Sequence, residues 1–298
     1  MKPSYISLSD AEAENRVDGL KEQLTSCRLC PLECAVDRTR GEEGSCDAGE
    51  KPKVSSVTPH FGEERPLVGS HGSGTIFLAS CNLSCVYCQN HEISQLGRGR
   101  EISVNELAGK MLGLQRRGCH NINWVSPTHY VPQLAEALFL ARSEGLEIPL
   151  VYNTGGYDSR DTLRYLDGIV DIYMPDMKYS SEEQGLMYSR VPDYPEVNRR
   201  DLMEMHRQVG DLKVDGSGIA VKGLLIRHLV LPNGLSGTEG VLRFIAEEVS
   251  KNSYVNVMDQ YRPYWRASEY EGLNRPINSR EFEDALNITR DLGLTRGL

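Results

Sequence analysis

The sequence predicts an α/β protein: an incomplete (β/α)6 barrel of parallel strands behind an N-terminal Cys-rich extension. Three observations carry this prediction. Six short apolar runs alternate with helical patterns from residue 75 onward, the sign of parallel βα units. No Gly-rich dinucleotide fingerprint follows the first run, where a doubly wound nucleotide-binding sheet would carry one. Small, polar or charged residues sit at the end of every run, where a barrel gathers its functional groups.

Strands are predicted over 75–80, 121–126, 149–154, 171–177, 224–231 and 254–261. A capping box of Ser9 and Glu12 predicts a first helix over 9–24. Val104, Leu107, Ala108, Met111 and Leu112 recur at helical spacing behind Ser103 and Glu106. Leu134, Ala135, Leu138 and Phe139 repeat that pattern after Pro132, and Val241, Leu242, Ile245, Ala246 and Val249 do so behind Ser236 and Glu239. Residues 181–210 read as helix broken at Pro192 and Pro195, 212–221 as a hairpin around Asp215-Gly216-Ser217-Gly218, and 280–292 as a last helix capped by Ser279. Right-handed crossovers place the helices outside the sheet. Residues 1–74 are assigned to the extension, and 75–298 to the barrel and its C-terminal helix.

The chain has 298 residues, enough for one large or two small domains. Lys and Arg number 33 against 42 Asp and Glu, and the net charge of −9 weighs against a nucleic-acid partner. No apolar run is long enough to span a bilayer, and no stretch of signal-peptide type opens the chain. A cytoplasmic protein is expected. In that compartment eight cysteines mean metal or catalysis rather than disulfides.

Seven of the eight fall in two groups. Cys27, Cys30, Cys34 and Cys46 are spaced C-x2-C-x3-C-x11-C among Gly41, Gly44 and Gly49. They read as a knuckle for zinc or for an iron–sulfur cluster, and the spacing leaves both open. Cys81, Cys85 and Cys88 follow the first strand at CxxxCxxC spacing. Three thiolates can hold three irons of a four-iron four-sulfur cubane and leave the fourth iron open to a small molecule. The alternative is a structural zinc site with His91 as fourth ligand. Cys119 reads as a buried packing thiol. His60, Glu63 and Glu64 read either as neighbours of the cysteine loop or as a plain polar turn.

With Tyr87 just before the third cysteine, CxxxCxxC resembles the signature of the radical S-adenosylmethionine (SAM) enzymes. The resemblance extends over about 75–261 and is closest to the pyruvate formate-lyase-activating-enzyme-like branch. Asn153-Thr154-Gly155-Gly156-Tyr157 looks like that branch's Asp-Thr-Asn-Gly-aromatic turn, with Asn for Asp. Asp176-Met177-Lys178 is similar to its Asp-x-Lys, and Arg227 to its strand-five arginine. The Gly-Gly-Glu motif that holds the SAM ammonium in many relatives is replaced by Ser126-Pro127-Thr128-His129, which leaves Ser126 and Thr128 as candidates for that role.

The resemblance implies an oxidoreductase in which Cys81, Cys85 and Cys88 hold a 4Fe-4S cluster. SAM would be cleaved to methionine and a 5′-deoxyadenosyl radical that takes hydrogen from an unidentified small-molecule or protein substrate. It implies that Tyr87 packs near the adenine and that Asn153, Asp176, Lys178 and Arg227 bind SAM or steer the radical. A flavodoxin or ferredoxin would supply the electron. One alternative is activation of a partner glycyl-radical enzyme. Another, from a different class, is a non-catalytic iron–sulfur or zinc protein.

Overall fold

The computed structural model describes residues 2–298. Helix α1 (Asp10–Glu22) begins at Ser9, whose hydroxyl takes the Glu12 amide while the Glu12 carboxylate returns to the Ser9 amide, the predicted box. After the knuckle, β1 (Lys53–His60) runs antiparallel to β2 (Ser73–Leu78). Between them lies the single turn α2 (Arg65–Val68). The second cysteine loop leads into α3 (His91–Ser94), and β3 (Arg100–Glu101) pairs with β1.

The repeating part then follows. It comprises α4 (Val104–Arg116), β4 (Ile122–Val125), α5 (Val131–Ser143), β5 (Leu150–Thr154), α6 (Arg160–Tyr165) and β6 (Ile172–Pro175). Next come α7 (Glu182–Ser189), α8 (Tyr194–Val209), β7 (Lys213–Val214), β8 (Ala220–Leu229), α9 (Thr238–Phe244), β9 (Tyr254–Met258) and α10 (Ser279–Asp291).

β2, β4, β5, β6, β8 and β9 pair side by side, all parallel. They overlap the six predicted strands in the predicted order. β7 adds the expected short hairpin to β8.

Period-two alternation sorts the side chains. Ile76, Trp124, Tyr152, Tyr173, Ile226 and Val255 face the main core and pack against Leu107, Met111, Leu134 and Leu138 of the helices. Val151, Ile172, Met174 and Leu225 face the other way and enclose Leu67 of α2. The Asn121 amide donates to the Leu67 carbonyl at 2.9 Å. Residues 61–68 therefore fill the lower end of the curved sheet, at the strands' N-terminal ends. None of the described helices is long and apolar enough to cross a membrane.

Several local readings need correction. Residues 54–74, assigned to the extension, supply a strand and the barrel's floor. The boundary assigned after residue 74 falls inside β2, which pairs with β1. Ser103 accepts the Glu106 amide, but the Glu106 carboxylate turns to Arg100, which leaves half a capping box. α9 begins behind Gly237 with no side-chain cap, because the Ser236 hydroxyl takes the Leu231 amide instead. α10 is capped by Asn278 with Glu281, one residue before Ser279. Pro195 does not break a helix: it lies in the first turn of α8, where its missing amide hydrogen has no partner to lose.

Candidate functional site

The strand ends meet above this floor. β2 stops at Leu78, and Ser80 takes a positive φ of 73° that swings the chain into the cysteine loop. The loop is fastened on several sides. The Val86 amide donates to the Tyr188 carbonyl at 2.9 Å, and the Arg266 amide donates to the Val86 carbonyl at 2.9 Å. The Asn82 side chain donates to the Tyr157 carbonyl at 2.6 Å.

Each sulfur has its own polar neighbour. The Leu83 amide donates to Cys81 Sγ at 3.4 Å, Ser189 Oγ lies 3.0 Å from Cys85 Sγ, and Ser94 Oγ lies 3.1 Å from Cys88 Sγ. Burial and the neighbouring Cys85 push the Cys81 thiol up to about 12. Burial also raises Cys85, against the pull of Lys178. As bare thiols they stay protonated, so only a strong Lewis acid would hold them as thiolates.

Beneath the loop lies a tyrosine cluster that the sequence did not reveal. Tyr87, Tyr157, Tyr179, Tyr188, Tyr194 and Tyr261 pack with Leu83 and Val86. Tyr87 Oη meets Tyr179 Oη at 2.6 Å, and Tyr179 Oη meets Ser189 Oγ at 2.8 Å. The Tyr87 ring stands edge-on to Tyr179 and Tyr261. Tyr87 is thus built into the support of the cysteine loop. Spacing along the chain gave no hint of Ser189, Ser94 or Tyr179.

The charged residues converge next to the thiols. Asp176 forms a bridge with Arg227 just beyond β6. Its carboxylate receives Lys178 Nζ at 2.6 Å and Arg227 Nε at 3.0 Å. Arg227 Nη2 donates to Asn153 Oδ1 at 2.7 Å, and Nη1 reaches Glu63 at 3.4 Å. Burial opposes ionisation of Asp176, yet Lys178 and then Arg227 hold its carboxyl below the usual range. Asp176 and Lys178 stand two apart in the sequence. They form an ion pair with each other.

Glu63 and Glu64 lie below this group, inside the barrel. Asn123 donates to Glu63 at 3.3 Å, and Asn256 donates to Glu64 at 2.9 Å. Glu64 Oε2 and Asn123 Oδ1 are buried without partners among the described residues. His60 packs edge-on to Phe77.

Strand two's turn divides. Ser126 stays half-exposed at the rim, with a positive φ of 54° and its amide bonded to the Asn153 carbonyl at 2.9 Å. Thr128 is buried, and its hydroxyl donates to Asp158 at 2.7 Å. Thr154 and Tyr152 donate to the same carboxylate at 2.7 Å and 2.9 Å. The Thr128 hydroxyl is therefore committed to Asp158 within the core. Gly156 has φ +72°, and a Cβ there would run into the Asp176 carbonyl and the Asn198 side chain. Glycine is required where the β5 turn crosses β6.

Cys27, Cys30, Cys34 and Cys46 do come together. With Leu29, Arg38, Ser45 and His129 they line one small cavity. Burial pushes Cys30 up to about 12 and Cys46 up to about 11. Cys119 is buried in the main core, as expected.

Among the described residues, no three His, Cys, Asp or Glu side chains are gathered as a single metal ion requires. The His91 ring stacks on Trp265 at 4.7 Å between centroids, and its Nδ1 is buried without a hydrogen-bond partner among the described residues. Three thiols in one loop, each with its own polar neighbour, fit a wider cluster of irons and sulfides.

A family model described as the radical SAM superfamily matches residues 75–255. Two proteins of Methanocaldococcus jannaschii are similar over nearly the whole chain. Uncharacterized protein MJ0674 is 33% identical over 305 residues, spanning 99% of this chain and 81% of that protein. Uncharacterized protein MJ0808 is 25% identical over 301 residues, spanning 94% of this chain and 80% of that protein. Neither name carries an activity.

Proposed function

The chain belongs to the radical SAM superfamily, and from that premise we propose that Cys81, Cys85 and Cys88 hold a four-iron four-sulfur cluster in an enzyme that takes hydrogen from a substrate bound in the barrel mouth. When bound, the cluster and S-adenosylmethionine supply a one-electron cleavage to methionine and a 5′-deoxyadenosyl radical. All other tasks fall to the chain's own residues.

Ser189, Ser94 and the Leu83 amide place hydrogen bonds on the sulfurs, which orients the ligands and stabilises them as thiolates. Lys178 and Asp176 offer a cation and an anion side by side. That pair suits the carboxylate and ammonium of an amino acid. Arg227 occupies the Asn153 side-chain oxygen Oδ1, which leaves the side-chain Nδ2 to donate. Ser126 remains the rim candidate for the ammonium.

The observation that carries the reading is the seating of three buried or half-buried thiols beside the Asp176–Lys178–Arg227 group at one end of a parallel sheet. The resemblance of Asp176, Lys178 and Arg227 to the activating-enzyme-like branch supports it further. The electron would come from a flavodoxin- or ferredoxin-class reductant. A glycine in a partner glycyl-radical enzyme is the alternative to a small-molecule substrate. A glycine-centred radical in a co-purified enzyme would select it.

The test is anaerobic reconstitution with iron and sulfide, followed by dithionite and SAM. Wild-type protein is expected to release 5′-deoxyadenosine, and a Cys81→Ala/Cys85→Ala/Cys88→Ala variant is expected to release none. A reconstituted wild type that makes no 5′-deoxyadenosine would end the proposal.

A further inference from the structure

Arg38 is the largest charged side chain in the molecule with no exposure at all. It donates to the Gly49 carbonyl at 3.1 Å through Nε, and to the His129 carbonyl at 2.6 Å through Nη1. It also lies over the Tyr130 ring at 5.5 Å. No carboxylate pairs with it among the described residues. A buried cation satisfied only by neutral carbonyls is costly unless a counter-charge lies close. The side chains that share its cavity are Cys27, Cys30, Cys34, Cys46 and His129. Neutral thiols supply no counter-charge. Metal-bound thiolates do.

His129 gives a second, independent pointer. It is 2% exposed, and its Nε2 lies 2.8 Å from the Ala79 carbonyl. A carbonyl can only accept, so Nε2 carries the proton and Nδ1 holds a bare lone pair. That Nδ1 has no partner, and the ring lines the same cavity. The backbone is also shaped for the thiols. Glu33, Ala35 and Asp47, flanking Cys34 and Cys46, all take positive φ. A Cβ on Gly44 would come within 2.6 Å of Cys34 Sγ.

We propose that Cys27, Cys30, Cys34 and Cys46 hold a second iron–sulfur cluster, packed between Arg38 and His129. Its thiolates would give Arg38 the negative partner it lacks. Four thiolates suit a cluster of irons and sulfides as well as a single tetrahedral ion, and counting the metal separates the two. A cluster holds its four thiolates farther apart around shared irons and sulfides.

The site also touches the barrel-mouth loop. Ser80 Oγ, next to Cys81, donates to the Asp47 carbonyl, next to Cys46, at 3.0 Å. The Ala79 carbonyl holds His129 from the same loop. Only the significance of that contact rests on the first-cluster reading. The site itself does not.

The experiment isolates the knuckle by removing the other trio. The full-length Cys81→Ala/Cys85→Ala/Cys88→Ala variant is reconstituted anaerobically. Iron, acid-labile sulfide and zinc are then counted, and the reduced protein is examined by electron paramagnetic resonance. Iron and sulfide in equal amounts with an iron–sulfur signal are expected, and further Cys30→Ala/Cys46→Ala changes should abolish both. Arg38→Met, in the same background with Cys30 and Cys46 intact, should lower the cluster's reduction potential, because a neighbouring positive charge is lost. Zinc in place of iron, or no metal in a variant whose circular dichroism matches wild type, overturns the proposal. If the triple variant does not fold, a Cys30→Ala/Cys46→Ala wild-type background serves instead. Unchanged iron and sulfide there overturn it equally. Failure of 5′-deoxyadenosine formation in the wild type bears on the first site alone.

Discussion

Asp176→Asn is the sharpest test of the charged group at the barrel mouth. The substitution keeps the shape of the side chain and removes the anion shared by Lys178 and Arg227. The three side chains are 19%, 15% and 18% exposed, so solvent screens them only in part. Removing one partner of a fully buried pair costs about 3–5 kcal/mol, and an exposed pair about 0.2–1 kcal/mol. An intermediate loss of about 2–3 kcal/mol is expected here. At about 2 °C per kcal/mol for a large domain, Tm should fall by about 5 °C. The assay is thermal unfolding of Asp176→Asn, Lys178→Met and the double variant, all without SAM. The double variant should be less damaged than the sum of the singles by about 1–3 kcal/mol, because Lys178 is stranded only while it remains charged and unpaired. Additivity within about 0.5 kcal/mol would refute the claim that these residues form one electrostatic unit.

Thr128→Val should lower stability by about 1–2 kcal/mol, because Asp158 loses one of its three hydroxyl donors. The folded variant should still release 5′-deoxyadenosine, and loss of SAM affinity would return Thr128 to the rim. Gly156→Ala should destabilise by at least about 2 kcal/mol, since both the positive φ and the Asp176 carbonyl oppose a Cβ. Normal urea unfolding of that variant would contradict the tight crossing of β5 and β6. Burial pushes His228 down to about 4 from 6.5, against the bond to Met177. A depressed histidine stabilises the fold fully above its unfolded value, and that stabilisation is lost as pH falls toward the folded one. Wild-type Tm should therefore drop between pH 6.5 and 4, and His228→Gln should show a shallower drop over the same window. An equal slope would show that His228 does not titrate there.

What could be read in the sequence was whatever repeats or is spaced. Six apolar runs gave the parallel strands, because burial on both faces leaves a run of apolar residues. The cysteine spacings gave both metal candidates. Direction was harder to read. Thr128 and Ser126 stand two apart, but the 3-10 turn at Thr128–Tyr130 sends Thr128 into the core and leaves Ser126 at the rim. Tyr87 was assigned by adjacency to Cys88, whereas its hydroxyl is claimed by Tyr179, ninety-two residues away. Residues 61–68 carry no periodicity, since a floor is set by the cavity it fills. Glu63 and Glu64 therefore read either as neighbours of the cysteine loop or as a plain turn. Ser189 and Ser94 reach their sulfurs through folding alone.

The floor has a consequence for how the protein can be divided. Residues 75–255, the part shared with the superfamily, would by themselves form a trough drained at both ends. Val151, Ile172 and Leu225 would be stripped of Leu67, and Arg227 would lose Glu63. A catalytic fragment trimmed to that span would leak. The earlier stretch of chain is the stopper that turns an arch of strands into a vessel with a single opening.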